Sequence, residues 1–149
     1  LIFHEATLWV AASPDQVARF ITTPDRVQAY FPDALEGGVL VEDEAIWIRA
    51  KTGTTMIERI SGDGDAVTVR VTSTAQKVAS ASREELAAKP LLRFYEDWHL
   101  EAHNGGTRIT KHWRDLEAFG VMRWLPARWL VRRAAHQGTA KLVAAWSEA

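Results

Sequence analysis

The sequence predicts an α+β domain. A curved antiparallel sheet of seven strands packs against one long C-terminal helix, and two short helices follow strand 1. Three observations carry that reading. From Leu35 to Glu117 apolar residues recur with a period of two, the repeat of a strand with one buried face. Within that stretch Thr52-Gly53, Asp63-Gly64 and Asn104-Gly105 suit two-residue hairpin turns, the last two as strong type I′ signals. From Pro126 to Trp146 the spacing changes to three and four residues, the repeat of one helix face.

Taken in order, 2–11 reads as a strand, with β-branched and aromatic residues and no Gly or Pro. Ser13-Pro14-Asp15 opens a short helix, Ser13 as N-cap and Pro14 in the first turn, where its missing N–H is harmless. Val17, Phe20 and Ile21 form its apolar face and Pro24 ends it; a second short helix over 25–30 carries Val27 and Tyr30. Six strands follow, at 36–42, 44–51, 54–61, 66–75, 94–103 and 107–117. The Asn104-Gly105 turn pairs Leu100 with Ile109, Glu101 with Arg108 and Asp97 with His112, so apolar meets apolar and opposite charges meet. The Asp63-Gly64 turn pairs Ile60 with Val67 and Met56 with Val71. The Thr52-Gly53 turn pairs Trp47 with Glu58 and Arg49 with Met56; a three-residue loop there would turn Trp47 to the other face.

Gln76–Arg93 is too long for a hairpin. Ser82-Arg83-Glu84-Glu85 matches a capping box and Pro90 a stop, which predicts a short helix at 83–89 and a flap over one mouth of a cavity. In the last helix Ala127, Leu130, Val131, Ala134, Gly138, Leu142 and Ala145 share one face, with Arg128, Arg132, Arg133 and Lys141 beside or behind it. The stripe is built of small residues around Ala134 and Gly138, so the helix can cross a sheet and leave volume beneath its middle.

At 149 residues the chain is one domain by length, residues 1–149, enough to bury roughly 70 % of its unfolded surface. A hydrophobic fraction of 47 % and a charged fraction of 25 % are those of a globular protein, and a net charge of -1 gives no global pull towards nucleic acid. The absence of Cys removes disulfides, thiolate nucleophiles and Cys-ligated zinc, and fits a reducing, cytoplasmic setting. No window approaches the ~20 apolar residues of an integral membrane segment. No signal peptide is visible, in a sequence that starts at Leu1.

Three stretches carry a family likeness. They are Ala11-Ala12-Ser13-Pro14-Asp15-Gln16-Val17 through Thr22-Thr23-Pro24-Asp25; Trp98-His99-Leu100-Glu101 with Gly106-Thr107-Arg108-Ile109-Thr110; and Leu142 to Glu148. With the order of elements, they resemble the START/Bet v 1-like (SRPBCC) superfamily, in its polyketide cyclase/dehydrase-like branch. The resemblance covers nearly the whole chain and rests on structural motifs. It implies a helix-grip fold, a sheet gripping the final helix around a cavity for a lipid-like or polycyclic ligand. Members include carriers, hormone receptors, cyclases and chaperone activators, so the fold does not choose a function. The 76–93 segment is longer than the family's usual connection.

Given these registers, the concave face receives Met56, Glu58, Ile60, Val67, Val69, Val71, Phe94, Glu96, Trp98, Leu100, Ile109, Lys111 and Trp113, joined by Trp47 and Arg49. Most of these line a core. Glu58, Glu96, Lys111 and Arg49 are ionisable groups on a face that should be apolar, and a charge there needs a partner or water. Glu96 and Lys111 are diagonal neighbours across the hairpin, with Trp98 and Trp113 as walls. The expected ligand-binding set is Trp47, Arg49, Met56, Glu58, Val69, Glu96, Trp98, Lys111, Trp113, Ala134 and Gly138. The competing account is a solvated ion pair at a sheet end.

Other chemistry finds less support. His99, His103 and His112 fall on the outer face and lack the spacing of a metal site, so surface histidines are the better account and no metal is expected. No nucleophile elbow or Gly-rich phosphate loop is present, and no cofactor is implied. Arg123, Arg128, Arg132 and Arg133 cluster with Trp124 and Trp129, a pattern suited to an acidic ligand tail or weak membrane-surface contact. With so little net charge, a solvated helix face with packed Trp is preferred. The resulting expectation is a binder of a small hydrophobic ligand. The alternatives are a cyclase/dehydratase-like enzyme using Glu58 or Glu96, and a protein-interaction module of the chaperone-activator kind using the outer sheet face.

Overall fold

The computed structural model describes residues 1–23, 39–42, 45–49, 53–74, 83–84, 92–118 and 126–147. Strands β1 (Ile2–Val10), β2 (Val39–Glu42), β3 (Ala45–Arg49), β4 (Thr54–Asp63), β5 (Ala66–Thr74), β6 (Leu92–His103) and β7 (Gly106–Ala118) form one curved antiparallel sheet, ordered β1-β7-β6-β5-β4-β3-β2. Helix α1 (Pro14–Thr22) follows β1, and helix α2 (Ala127–Ser147) closes the described chain. The expected helix at 25–30 and most of the expected helix at 83–89 lie outside the described residues. Arg83 and Glu84 alone carry helical backbone there.

Ser13 starts α1 through a full capping box. The Gln16 amide donates to Ser13 Oγ at 3.2 Å and the Ser13 amide to Gln16 Oε1 at 3.0 Å, satisfying two otherwise orphaned donors. Thr23, which precedes Pro24, ends the helix in extended backbone, as a residue before proline prefers. The helix buries Val17, Ala18, Phe20 and Ile21 and lies against β4 to β7.

The third hairpin has the expected register. Asn104 (φ 49°) and Gly105 (φ 76°) both take left-handed backbone, as a type I′ turn requires, and Leu100 pairs with Ile109. The other two hairpins differ. In β4–β5 the turn moves one residue on, to Gly64-Asp65, and Ile60 is left unpaired in a bulge between Arg59 and Ser61. An extra residue in one strand reverses the facing of everything beyond it. Ile57, rather than Met56, therefore lies opposite Val71. In β3–β4 Arg49 pairs with Thr54 and Trp47 with Met56, so the strands are joined by four residues instead of two. That shift preserves facing, and the bulge alone carries Trp47, Met56 and Glu58 to the sheet face away from the helices. Ile60 itself is exposed.

Two groups of buried apolar residues lie on the helix-bearing face. One joins α1 to the middle of the sheet through Val17, Ile21, Ile48, Ile57, Val69, Trp98, Leu100 and Ile109. The other joins α2 to β7 and β1 through Trp113, Val131 and Ala135, with Phe3, Ala6 and Leu116 at its margin. Trp146, near the end of α2, meets Phe20 of α1 edge-on, ring centroids 4.8 Å apart. The described sheet-facing side of α2 thus runs through Val131, Ala135 and Thr139. Ala134, expected on that side, is exposed, and Leu130 is largely so. Spacing alone admitted either stripe, because alanines occupy both. The surroundings of Gly138 lie outside the described residues. No described helix is long and apolar enough to cross a membrane.

Candidate functional site

Alternation along β6 and β7 sends Glu96, Trp98 and Leu100, with Ile109, Lys111 and Trp113, towards the helices. Glu96 lies opposite Trp113 and Lys111 opposite Trp98. The ammonium of Lys111 reaches diagonally to Glu96, Nζ to Oε1 at 2.8 Å. Trp98 Nε1 donates to the same oxygen at 2.8 Å. The Lys111 Nζ stands 4.3 Å from the Trp98 ring centre and 4.7 Å from that of Trp113, so two aromatic faces flank the cation. Its remaining described partner is Thr139 Oγ1 at 3.2 Å, which ties the pair to α2. Lys111 is 2 % exposed and Glu96 8 %, so both charges are withdrawn from water and each depends on the other. Trp98 belongs to the first apolar group and Trp113 to the second. The polar pair occupies the seam between them.

His4 completes this face and was missed in the sequence. It lies opposite Trp113 on β1, ring centroids 4.9 Å apart. Burial first, then the positive charges around it (Arg132, His136 if protonated, Lys111), lowers its pKa below the ordinary histidine value, with partial opposition from Glu96. The imidazole is therefore neutral near pH 7. The alternation His4, Ala6, Leu8, Val10 against exposed Glu5, Thr7 and Trp9 was the signal that could have found it.

The other expected residues are distributed differently. Val69 is fully buried under α1. Trp47 and Met56 are buried on the opposite face of the sheet, and Glu58 on that face pairs with Arg83 at 2.8 Å. The Arg83 guanidinium thereby lies on the outer face of the sheet. Arg49 is defined by its backbone pairing with Thr54 only. The outer face also holds the His99 and His112 rings, 5.1 Å apart, with His112 Nε2 3.0 Å from Glu5. Among the described residues no group of three or more ligating side chains is arranged to hold a metal.

Asp97, next to Glu96 but facing outward, accepts from Arg70 Nε at 2.9 Å and Arg114 Nε at 2.8 Å. Burial pushes its pKa up, but the two guanidinium hydrogen bonds and charges outweigh that and hold it below the usual carboxylate range. Cavities open on the surface among the described residues. One of about 590 Å³ lies at the sheet end by Arg70, Tyr95 and Arg114. Another, of about 480 Å³, lies between the end of α1 and Trp146 of α2, by Phe20 and Thr23.

Two helices on one sheet face, α1 over its middle and α2 across β1 and β7, define a helix-grip-like α+β fold. Solved structures share it almost end to end. Ara h 8.0201 is 14 % identical with a TM-score of 0.59 and covers 97 % of each chain. Mll3558 of Rhizobium loti is 11 % identical with a TM-score of 0.58, covering 95 % of this chain and 97 % of its own. MLL2253 of Mesorhizobium loti is 14 % identical with a TM-score of 0.57, covering 97 % and 98 %. At such identities the likeness is one of fold. No family model and no curated protein sequence matches the chain significantly.

Proposed function

We propose that this domain binds a small, largely apolar molecule, lipid-like or polycyclic, between the sheet and α2. The observation that carries the reading is the Glu96–Lys111 pair, enclosed by Trp98 and Trp113 and tied to α2 at Thr139. A polar group of the ligand exchanges hydrogen bonds with Thr139, Lys111 and Glu96, and the aromatic rings and Val69 wall its body. From Thr139 to Trp146 is two helical turns, about 10 Å. The apolar body extends along that line towards the 480 Å³ cavity beside Trp146, which is within the size range of small-molecule sites. A helix-grip-like fold is consistent with hydrophobic-ligand binding. Gly138 precedes Thr139 in sequence, and Gly138→Leu should obstruct the site.

The test is uptake of a fluorescent apolar probe, with mass spectrometry of anything that co-purifies. Trp98→Ala should weaken the probe at least tenfold, whereas Glu58→Gln on the opposite face should leave it within twofold. A wild-type protein that takes up no apolar probe, or a Glu58→Gln variant as impaired as Trp98→Ala, rejects the reading. A second reading, a cyclase/dehydratase-like enzyme of the polyketide branch, is favoured by His4. A neutral imidazole on the face that carries Glu96 can accept a proton from a bound substrate. It requires turnover of a polyketide-type substrate that His4→Asn abolishes without loss of probe binding.

A further inference from the structure

The solvent side of α2 does not look like a solvated helix face with its tryptophan packed away. Trp129 is 56 % exposed and Leu130 43 % exposed, at the N-terminal end of the helix whose other side buries Val131 and Ala135. Around them stand three arginines. The Arg133 guanidinium lies 5.6 Å from the Trp129 ring centre, over its face. Arg128, exposed in the first turn, lies on the Thr139 side of the helix and lines the 590 Å³ cavity with Asp115 and Glu117. Arg132 donates from Nε at 3.1 Å and Nη2 at 2.8 Å to the carbonyl of Phe3, an uncharged acceptor. That bond brings the start of β1, with Ile2 half exposed, against the same end of the helix. Among the described residues none of these three guanidinia is paired with a carboxylate.

The sequence sharpens the asymmetry. Residues 118–147 contain five cationic side chains and no Asp or Glu, in a chain whose net charge is -1. Cations in the first turns of a helix also oppose its macrodipole, so local helix stability does not favour their placement. An exposed indole and an exposed leucine with a guanidinium between them that no described carboxylate pairs match one surface in particular. At an anionic bilayer, indoles sit at headgroup level, leucines reach the acyl boundary, and arginines bind lipid phosphates while their stems lie along apolar surface.

We propose that this end of α2 docks on an anionic membrane surface, with Trp129 and Leu130 entering the interface and Arg133, which lies between them around the helix, on a lipid phosphate. The inference stands apart from the ligand-binding reading, because Trp129, Arg133 and Leu130 lie about 80° to 180° around α2 from Thr139. It would bring the domain to lipid whether or not the interior takes a ligand.

The experiment is co-sedimentation with vesicles of phosphatidylcholine alone and of equal parts phosphatidylcholine and phosphatidylserine. The wild type should bind the anionic vesicles, leave the neutral ones, and lose at least tenfold in partitioning between ~50 mM and ~500 mM salt, where screening shortens the reach of the charges. Trp129→Ser/Leu130→Ser and Arg133→Glu should each lower partitioning at least fivefold with unchanged thermal melts. As a measure that needs no variant, amides from 127 to 134 of the wild type should gain hydrogen-exchange protection on anionic vesicles. Absence of binding to the anionic vesicles at low salt overturns the proposal, as does binding without protection at 127–134. A dimer in light scattering that Trp129→Ser/Leu130→Ser dissolves would assign the face to a second copy of the chain, and overturns it equally.

Discussion

Glu96 and Asp97 are consecutive residues on β6 with opposite circumstances. Their carboxylates are almost equally covered, with side chains 11 % and 10 % exposed, and each meets its cations within 3 Å. The cations differ. The Lys111 side chain is 3 % exposed and held between two indoles, whereas those of Arg70 and Arg114 are 32 % and 23 % exposed and reach water. The inner pair is a closed unit whose members have no alternative solvation. The outer triad is an open network that solvent can repair. Sheet alternation alone separates the two, and the energetic consequence follows from the cation rather than from the carboxylate.

The largest expected effect breaks the closed unit. Lys111→Met strands the Glu96 carboxylate in an apolar seam and should cost about 3–5 kcal/mol in urea unfolding. Glu96→Gln/Lys111→Met should recover most of that loss, since replacing both members of a buried pair is often neutral. If single and double variants are equally unstable, the pair is not coupled.

The open network should respond less. Asp97→Asn should cost about 1–2 kcal/mol, short of the full value of charged hydrogen bonds because both guanidinia keep contact with water. Its signature is in acid. A carboxyl held below its usual range contributes stability that is complete above the unfolded value of about 3.9 and is lost as pH falls through the lower folded value. Stability of the wild type should therefore fall more steeply than that of Asp97→Asn as pH is lowered from about 4. Parallel curves would remove Asp97 from the acid response.

His4 gives the inner face its own pH dependence. Its folded pKa is lowered, so the neutral form is favoured in the native state. The contribution is present above the unfolded value of about 6.5 and is lost as pH falls through the folded value. Melting temperature should decline on acidification below pH ~6.5, and His4→Asn should flatten that decline; an unaltered slope would place the titrating group elsewhere. The smallest effect belongs to Glu58. Its partner Arg83 is 44 % exposed, so Glu58→Gln should change stability by about 0.5 kcal/mol or less. A loss of several kcal/mol would mean that Glu58 is buried with the inner set after all.

The inner pair could be read from sequence because one strong signal governed it. Asn-Gly supplies two residues that tolerate left-handed backbone, that turn sets the β6–β7 register, and alternation does the rest. The same argument failed one hairpin away. Asp63-Gly64 pointed to a turn of the same kind, yet the turn forms at Gly64-Asp65 and Ile60 bulges out of β4. Gly62 sits at φ +97°, where a Cβ would meet the Ala66 carbonyl at 2.0 Å, so this end of the hairpin is shaped around backbone that only glycine accepts readily. Nothing in the hydrophobic pattern marks such an extra residue, because Met56, Ile57 and Ile60 suit either facing. Three of the expected site residues changed sides for that reason.

What the sequence determined by itself is local. The capped first helix, the period-two stretch with its final hairpin and the long last helix follow from backbone preferences and side-chain spacing within a few residues. The facing of β4, the rotation of α2 that buries Ala135 and exposes Ala134, and the meeting of Lys111 with Thr139 were decided by tertiary packing. Each depends on a partner far along the chain, and small or uniformly apolar residues leave those choices nearly degenerate until the partner is in place.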